Sequence, residues 1–335
     1  MIPNWAAEGD FWVKRILRPL RDRLARLLGV SVGLGPAIER LALLQGQVAA
    51  RQVTGLDHLG RLADAEFRVS SQWGEDGIIE WLVAKAPGIP EIFIEFGVET
   101  YAESNTRFLL QNRNWRGLVL DGSAANIAAI RKAPVSWHHD LTAIARFVTA
   151  ENIDRTIADA GFAGEIGLLS LDIDGNDYWV WQAISSVSPW FVIAEYNAVM
   201  GDLLSLSVPY QADFTRFAAD PSGLYFGASC GAFAQLAAAK GYVILGSNRA
   251  GNNLFMARQD VAAGLTDHIA DLRPRPSRFR EARDSEGRLA YLGGLERTEQ
   301  ISALPVINVA NGIEGSLGQQ GPLFSAYWLA AMAGT

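Results

Sequence analysis

Five short apolar runs in this chain end in side chains that can bind polar ligands or move protons. The runs cover residues 92–96 (IFIEF), 117–121 (GLVLD), 134–138 (PVSWH), 166–172 (IGLLSLD) and 190–196 (WFVIAEY). At or just after their ends stand Glu95, Gly97 and Glu99; Asp121 and Ser123; His138, His139 and Asp140; Asp172 and Asp174; and Glu195 and Asn197. Turn formers end strands for backbone reasons alone, so one such end says little. Five that converge predict a polar cleft, because ligands of open α/β sheets bind beyond the carboxyl ends of the strands.

The spacing narrows the chemistry. Glu95 and Asp121 are 26 residues apart, close to the separation at which a second-strand carboxylate accepts hydrogen bonds from both ribose hydroxyls of a nucleoside held by the first strand's turn. Gly97 would let a ligand approach the backbone. The turn lacks the later glycines of a dinucleotide motif, and Glu99 and Glu103 would repel a pyrophosphate. A phosphate-free, positively charged cofactor such as S-adenosylmethionine fits better. Residues 172–177 (DIDGND) open like an EF-hand loop, yet Asp177 and Ala183 stand where that loop needs Gly and Glu. A looser Mg²⁺ site built from Asp174, Glu195 and Asn197 stays open, beside Asp174 as the base that takes a proton from an acceptor hydroxyl and the reading of these residues as turn caps. His139 at a strand end could act as a general base, since an imidazole titrates near neutral pH, although a His there is more often a polar cap or packed beneath the ligand.

These residues need a scaffold, and the pattern supplies one. Continuous β-branched and aromatic runs alternating with helical stretches predict an α/β domain with a parallel sheet buried on both faces. Its end differs: runs 241–247 and 253–258 are joined by five residues, enough for a hairpin and too few for a parallel crossover. The expected fold is therefore a mostly parallel seven-stranded sheet ending in an antiparallel hairpin. Residues 1–65 are expected to form a helical appendage, 66–260 the main domain, and 261–335 a C-terminal extension. In the appendage Leu20, Leu24, Leu27 and Leu28 share one helix face and Arg21, Arg23 and Arg26 the other, which suits a solvated basic face or a peripheral membrane contact through residues 11–28. Ile38, Leu41 and Val48 suggest a second helix, which could serve a homo-oligomer.

Composition removes other classes. A net charge of −7 argues against general nucleic-acid binding. The single cysteine, Cys230, excludes an intramolecular disulfide and a four-cysteine zinc site. No apolar run is long enough to span a membrane and no leader pattern opens the chain, so a cytoplasmic protein is expected.

The segments 71–82 (SQWGEDGIIEWL), 93–123 (FIEFGVETYAESNTRFLLQNRNWRGLVLDGS), 169–184 (LSLDIDGNDYWVWQAI) and 193–201 (IAEYNAVMG) resemble the FkbM family of S-adenosylmethionine-dependent methyltransferases. The resemblance covers about residues 66–258 and implies a Rossmann-like class I methyltransferase fold. It implies methyl transfer to oxygen, on a hydroxyl of a sugar, glycan or polyketide-like acceptor. By the same resemblance Glu95 and Gly97 form the cofactor turn and Asp121 holds the ribose. Ser71, Gln72, Glu75 and Asp76 then lie near the cofactor, with Ser123, Asp140 and Asp172 at the ends of its strands. DGNDYW is also distantly similar to a metal-binding segment of macrocin-type O-methyltransferases, which aligns Asp174 with a metal ligand.

A rival reading comes from Gly227–Gly231, which matches the G-x-S-x-G elbow of serine hydrolases, with Asp260 or Asp267 and then His268 completing a Ser-acid-His order. Ser229 as a helix N-cap explains the same residues. A non-catalytic Rossmann-like scaffold is the third reading.

Overall fold

A computed structural model describes residues 34–333. Chain contacts separate two compact units, 1–48 and 49–335. The described part of the first is helical and belongs to a helix running Leu34–Thr54, as the Ala-, Leu- and Gln-rich sequence with its 3- and 4-residue apolar spacing predicts. The basic stretch 11–28 lies outside the described residues. Among the described residues no helix is long and apolar enough to cross a membrane.

The second unit is built on ten strands: β1 (Ile92–Phe96), β2 (Arg116–Asp121), β3 (Leu141–Ala145), β4 (Gly164–Leu171), β5 (Val187–Glu195), β6 (Leu206–Ser207), β7 (Tyr242–Ser247), β8 (Asn253–Arg258), β9 (Pro305–Asn308) and β10 (Ile313–Ser316). Seven of them form one sheet in the order β3-β2-β1-β4-β5-β8-β7. The first five run parallel, and β8 is antiparallel to both β5 and β7. This is the class I methyltransferase arrangement expected from the sequence. The order reverses between β1 and β4, and the strand ends part there, which opens a crevice at the switch point.

Successive side chains of each strand feed opposite cores. Ile94, Phe96, Leu118, Leu120, Leu169 and Leu171 pack on one face; Phe93, Val119, Leu168 and Ile193 pack on the other. That double burial is why the strands read as unbroken apolar runs. Leu59, Leu62 and Ala65 belong to the second of these cores, and β9 and β10 extend a small sheet with β6 over a third core containing Phe214, Phe226 and Val306. The boundaries expected at 65 and 260 thus fall inside the 49–335 unit.

One expected strand is wrong. Residues 134–138 turn as a short helix, Val135–His138, whose first turn Pro134 presets, and the third strand is Leu141–Ala145 instead. Its register pairs Leu141 with Gly117 and Ala145 with Asp121. His138, His139 and Asp140 therefore precede the strand and lie at the end of the sheet away from the crevice.

Candidate functional site

A cleft of about 410 Å³ occupies the carboxyl ends of β1, β2, β4 and β5, within the size range of small-molecule sites. Eight carboxylates line it (Glu95, Glu99, Glu103, Asp121, Asp172, Asp174, Glu195 and Glu281) against two arginines, Arg146 and Arg216. Such a surplus of negative charge favours a cation or a neutral polar ligand over a phosphate.

On the β1–β2 side the carboxylates are tied down. Buried Glu95 accepts from Ser104 Oγ at 2.8 Å, from the backbone N–H groups of Asn105 (2.8 Å) and Thr106 (3.1 Å), and from Thr106 Oγ1. Burial raises its pKa, and those donors hold the rise in check. Asp121 accepts at Oδ1 from Ser123 N–H (2.8 Å) and Asn126 Nδ2 (3.0 Å), and at Oδ2 from Glu99 N–H (2.8 Å). A carboxylate has about four acceptor positions, so Asp121 keeps one for a ligand. Gly97 sits between them with φ +72°, and a Cβ there would come within 1.6 Å of the Asp172 carbonyl oxygen. The glycine lets the ends of β1 and β4 close on each other.

On the β4–β5 side the charges are crowded. Asp172, Asp174 and Glu195 can bring one oxygen each within 4.8 Å of one another. Asp174 adopts φ +55°, held by the loop in which Asp177 accepts from the N–H groups of Ile173 (2.8 Å) and Gly175 (3.0 Å). A Cβ on Gly175 would strike the Phe214 ring at 2.3 Å, so the loop packs flush under that residue. Among the described residues Glu195 Oε2 is buried without a partner. Burial, then repulsion from Asp172 and Asp174, pushes the Glu195 pKa well above the usual carboxylate range; burial and Asp174 do the same to Asp172. Arg216 is the counterweight: it donates to Asp174 Oδ1 at 2.8 Å and to Glu281, and it lies 3.9 Å over the Phe226 ring. Burial opposes its charge, yet Glu195, Glu281 and Asp174 outweigh burial and raise its pKa.

Other expected site residues support the cleft from behind. Asp76 gathers the N–H groups of Val69, Ser70 and Ser71 and the Ser71 hydroxyl at 2.7–2.9 Å, and burial pushes its pKa up to about 6. Glu75 accepts from Asn248 Nδ2 (2.7 Å), Asn253 Nδ2 (2.9 Å) and Trp73 N–H (2.9 Å). These bonds present Gln72 and Trp73 to the cleft, while Ser71, Glu75 and Asp76 are not among its lining residues. Ser123 caps the helix Ala124–Lys132 by accepting from Asn126 N–H.

Three expectations need correction. His139 bonds Asn114 Oδ1 at 2.9 Å, burial and His138 lower its pKa, and with Asp140 it stands at the far end of β3, away from any reacting atom in the cleft. Asn197 is no metal ligand: its Nδ2 donates to Leu224 O (2.8 Å) and Phe226 O (2.9 Å), and its Oδ1 accepts from Val199 N–H. Asp172 takes its place in the acidic cluster. Ser229 is fully buried; its hydroxyl donates to Leu204 O (2.7 Å) and accepts from Leu206 N–H (2.9 Å) and Ala232 N–H (3.1 Å), and His268 bonds Asp57 O. Ser229 is thus not available as a nucleophile and His268 does not serve as its base, so the hydrolase elbow is a helix cap.

The structure adds residues the sequence did not single out. Arg216, Glu281 and Phe279 come from segments without readable periodicity, and Trp73 stacks on Phe279 with ring centres 5.5 Å apart. Asn252 and Asn253 of the β7–β8 hairpin also line the cleft, and among the described residues Asn253 Oδ1 is buried without a partner.

No protein-family model matches the chain, and no curated protein matches it. Among solved structures, the N-terminal domain of EvdMO1 with SAH bound is similar at 13% identity over 63% of this chain and 94% of that one, with a TM-score of 0.39. An S-adenosylmethionine-dependent methyltransferase from Clostridium acetobutylicum ATCC 824 is similar at 10% identity over 55% of this chain and 90% of that one, with a TM-score of 0.35. The CurJ carbon methyltransferase is similar at 11% identity over 55% of this chain and 52% of that one, with a TM-score of 0.35.

Proposed function

We propose that the chain is an S-adenosylmethionine-dependent O-methyltransferase of the FkbM type, acting on a hydroxyl of a sugar, glycan or polyketide-like acceptor. The observation that carries this reading is the two-sided cleft at the switch point: hydrogen-bonded carboxylates on β1 and β2, crowded carboxylates on β4 and β5. The residues fit the cofactor. Asp121 offers its open acceptor position to the ribose, and the net negative lining suits a sulfonium. The cofactor supplies an electrophilic methyl group on positive sulfur.

Methyl transfer is an in-line displacement, so the chain must orient the attacking oxygen and remove its proton. Asp172 and Glu195 are a pair held above the usual carboxylate pKa range, and one ionised carboxylate of the pair takes the single proton of the acceptor hydroxyl. Asp174, fixed by Arg216, orients that hydroxyl.

The three-carboxylate cluster favours a second version of the same chemistry. Its hard oxygens would hold Mg²⁺ through Asp172, Asp174 and Glu195, and a divalent ion there would lower the pKa of a bound hydroxyl. Calorimetry with S-adenosylmethionine and S-adenosylhomocysteine tests the function: one site per chain is expected, and no heat from folded protein would end the proposal. Loss of turnover in EDTA, restored by Mg²⁺, would select the metal version.

A further inference from the structure

A second cavity, about 280 Å³, lies beside the cleft and carries the opposite charge. The two share one wall, the segment 277–281. Phe279 stands between them and lines both, Glu281 faces the acidic cleft, and Ser277, Arg278 and Arg280 line the second cavity. Arg297 joins them from the helix Gly294–Gln300, and Glu296 is the cavity's one lining carboxylate.

The three guanidiniums differ in role. Arg297 is buried at 3% exposure and anchors the wall, donating to Ser277 Oγ at 2.8 Å and Ser277 O at 2.9 Å. Among the described residues its Nε is buried without a partner. Burial lowers its pKa and Arg280 lowers it further, against the pull of Glu281. Arg278 and Arg280 are exposed, and among the described residues neither side chain has an ion-pair or hydrogen-bond partner. The Arg280 guanidinium passes 3.7 Å from where a Cβ on Gly293 would stand, so the glycine keeps the cavity open at that side. Converging like charges that the fold leaves uncompensated favour an anion. Arginine forks suit phosphate oxygens in particular.

We propose that this cavity binds a phosphate or pyrophosphate group carried by the acceptor, an assignment that rests on the methyltransferase reading for the word acceptor. Phe279 then separates the two ends of one substrate. Its anionic end meets Arg278 and Arg280, and its hydroxyl reaches past the Trp73–Phe279 stack to the carboxylates of β4 and β5. The acidic cleft alone would repel such a substrate, and the basic cavity supplies the compensating attraction.

The test titrates the full chain with uridine diphosphate and with inorganic pyrophosphate, in the wild type and in an Arg278→Glu/Arg280→Glu double variant. Both changes are on the surface, and Arg297 is left in place because it seats the wall. Saturable binding is expected, at least tenfold tighter for uridine diphosphate than for pyrophosphate, and at least tenfold weaker in the variant, with S-adenosylhomocysteine affinity unchanged within twofold. No saturable binding, or binding that survives the double variant, would overturn the site. Pyrophosphate binding as tightly as uridine diphosphate would make the ligand a free anion and overturn its assignment to the acceptor. Anion binding without any S-adenosylhomocysteine binding would instead sink the methyltransferase reading, and with it the word acceptor, while leaving the anion site standing.

Discussion

The two walls of the cleft use the same side chain in opposite ways. At the ends of β1 and β2, Glu95 and Asp121 accept from loop donors until little acceptor capacity is left. At the ends of β4 and β5, Asp172, Asp174 and Glu195 crowd together with one arginine among three carboxyl groups, and a buried Glu195 oxygen has no partner among the described residues. A carboxylate whose donors are in place builds a rigid frame; one left short of them holds charge in reserve for a ligand or a proton. The first wall should therefore govern cofactor affinity and the second should govern turnover.

The largest effect expected from this division is on the β4–β5 side. Asp174→Asn should lower methyl transfer by two to four orders of magnitude, the range of a general base or its positioning partner, while the S-adenosylhomocysteine dissociation constant stays within threefold. A fully active variant would return Asp174 to the role of a turn residue. On the frame side, Gly97→Ala should destabilise the fold by about 3 kcal/mol or more, since a Cβ placed 1.6 Å from a backbone oxygen cannot be relieved by a rotamer change and the φ of +72° adds strain. Urea unfolding reads this directly. Asp121→Ala should weaken cofactor binding by roughly 10- to 150-fold, equivalent to about 1.5–3 kcal/mol for a hydrogen bond to a charged acceptor. An unchanged constant would remove Asp121 from the site.

Acidity offers a smaller effect. Burial pushes the Asp177 pKa from 3.8 to about 6, so between those values the folded state keeps a proton that the unfolded state has lost. Stability from this group therefore falls as pH rises from about 4 to 6, by roughly 2 kcal/mol. Asp177→Asn should flatten that part of the pH–stability curve measured by urea unfolding, and an unaltered slope would contradict the assignment. Smallest for turnover, Ser229→Ala should cost about 1–3 kcal/mol of stability, because the helix cap and the buried Leu206 N–H lose their acceptor, and leave methyl transfer unchanged; abolished turnover would revive a catalytic Ser229.

How far the sequence was legible follows from what each residue depends on. Strand runs, the β7–β8 hairpin and the four strand ends bearing Glu95, Asp121, Asp172 and Glu195 could be read because periodicity and position along a parallel sheet are local properties. The stretch 134–138 misled because a short apolar run fits strand or helix equally, and Pro134 decided for the helix only in context. That single slip carried His139 and Asp140 to the wrong end of the sheet. Asn197 looked like a ligand because its backbone position is right, yet its side chain is committed to carbonyls 27 and 29 residues away. Arg216, Phe279 and Glu281 depend wholly on long-range packing, for which spacing gives no sign.

The most direct measurement is a crystal structure of the protein grown with S-adenosylhomocysteine. The account predicts one ribose hydroxyl at Asp121 Oδ2 and the sulfur directed toward Asp172, Asp174 and Glu195, with the β1–β2 wall unmoved. Density for the ligand elsewhere, or a ribose out of reach of Asp121, would contradict it.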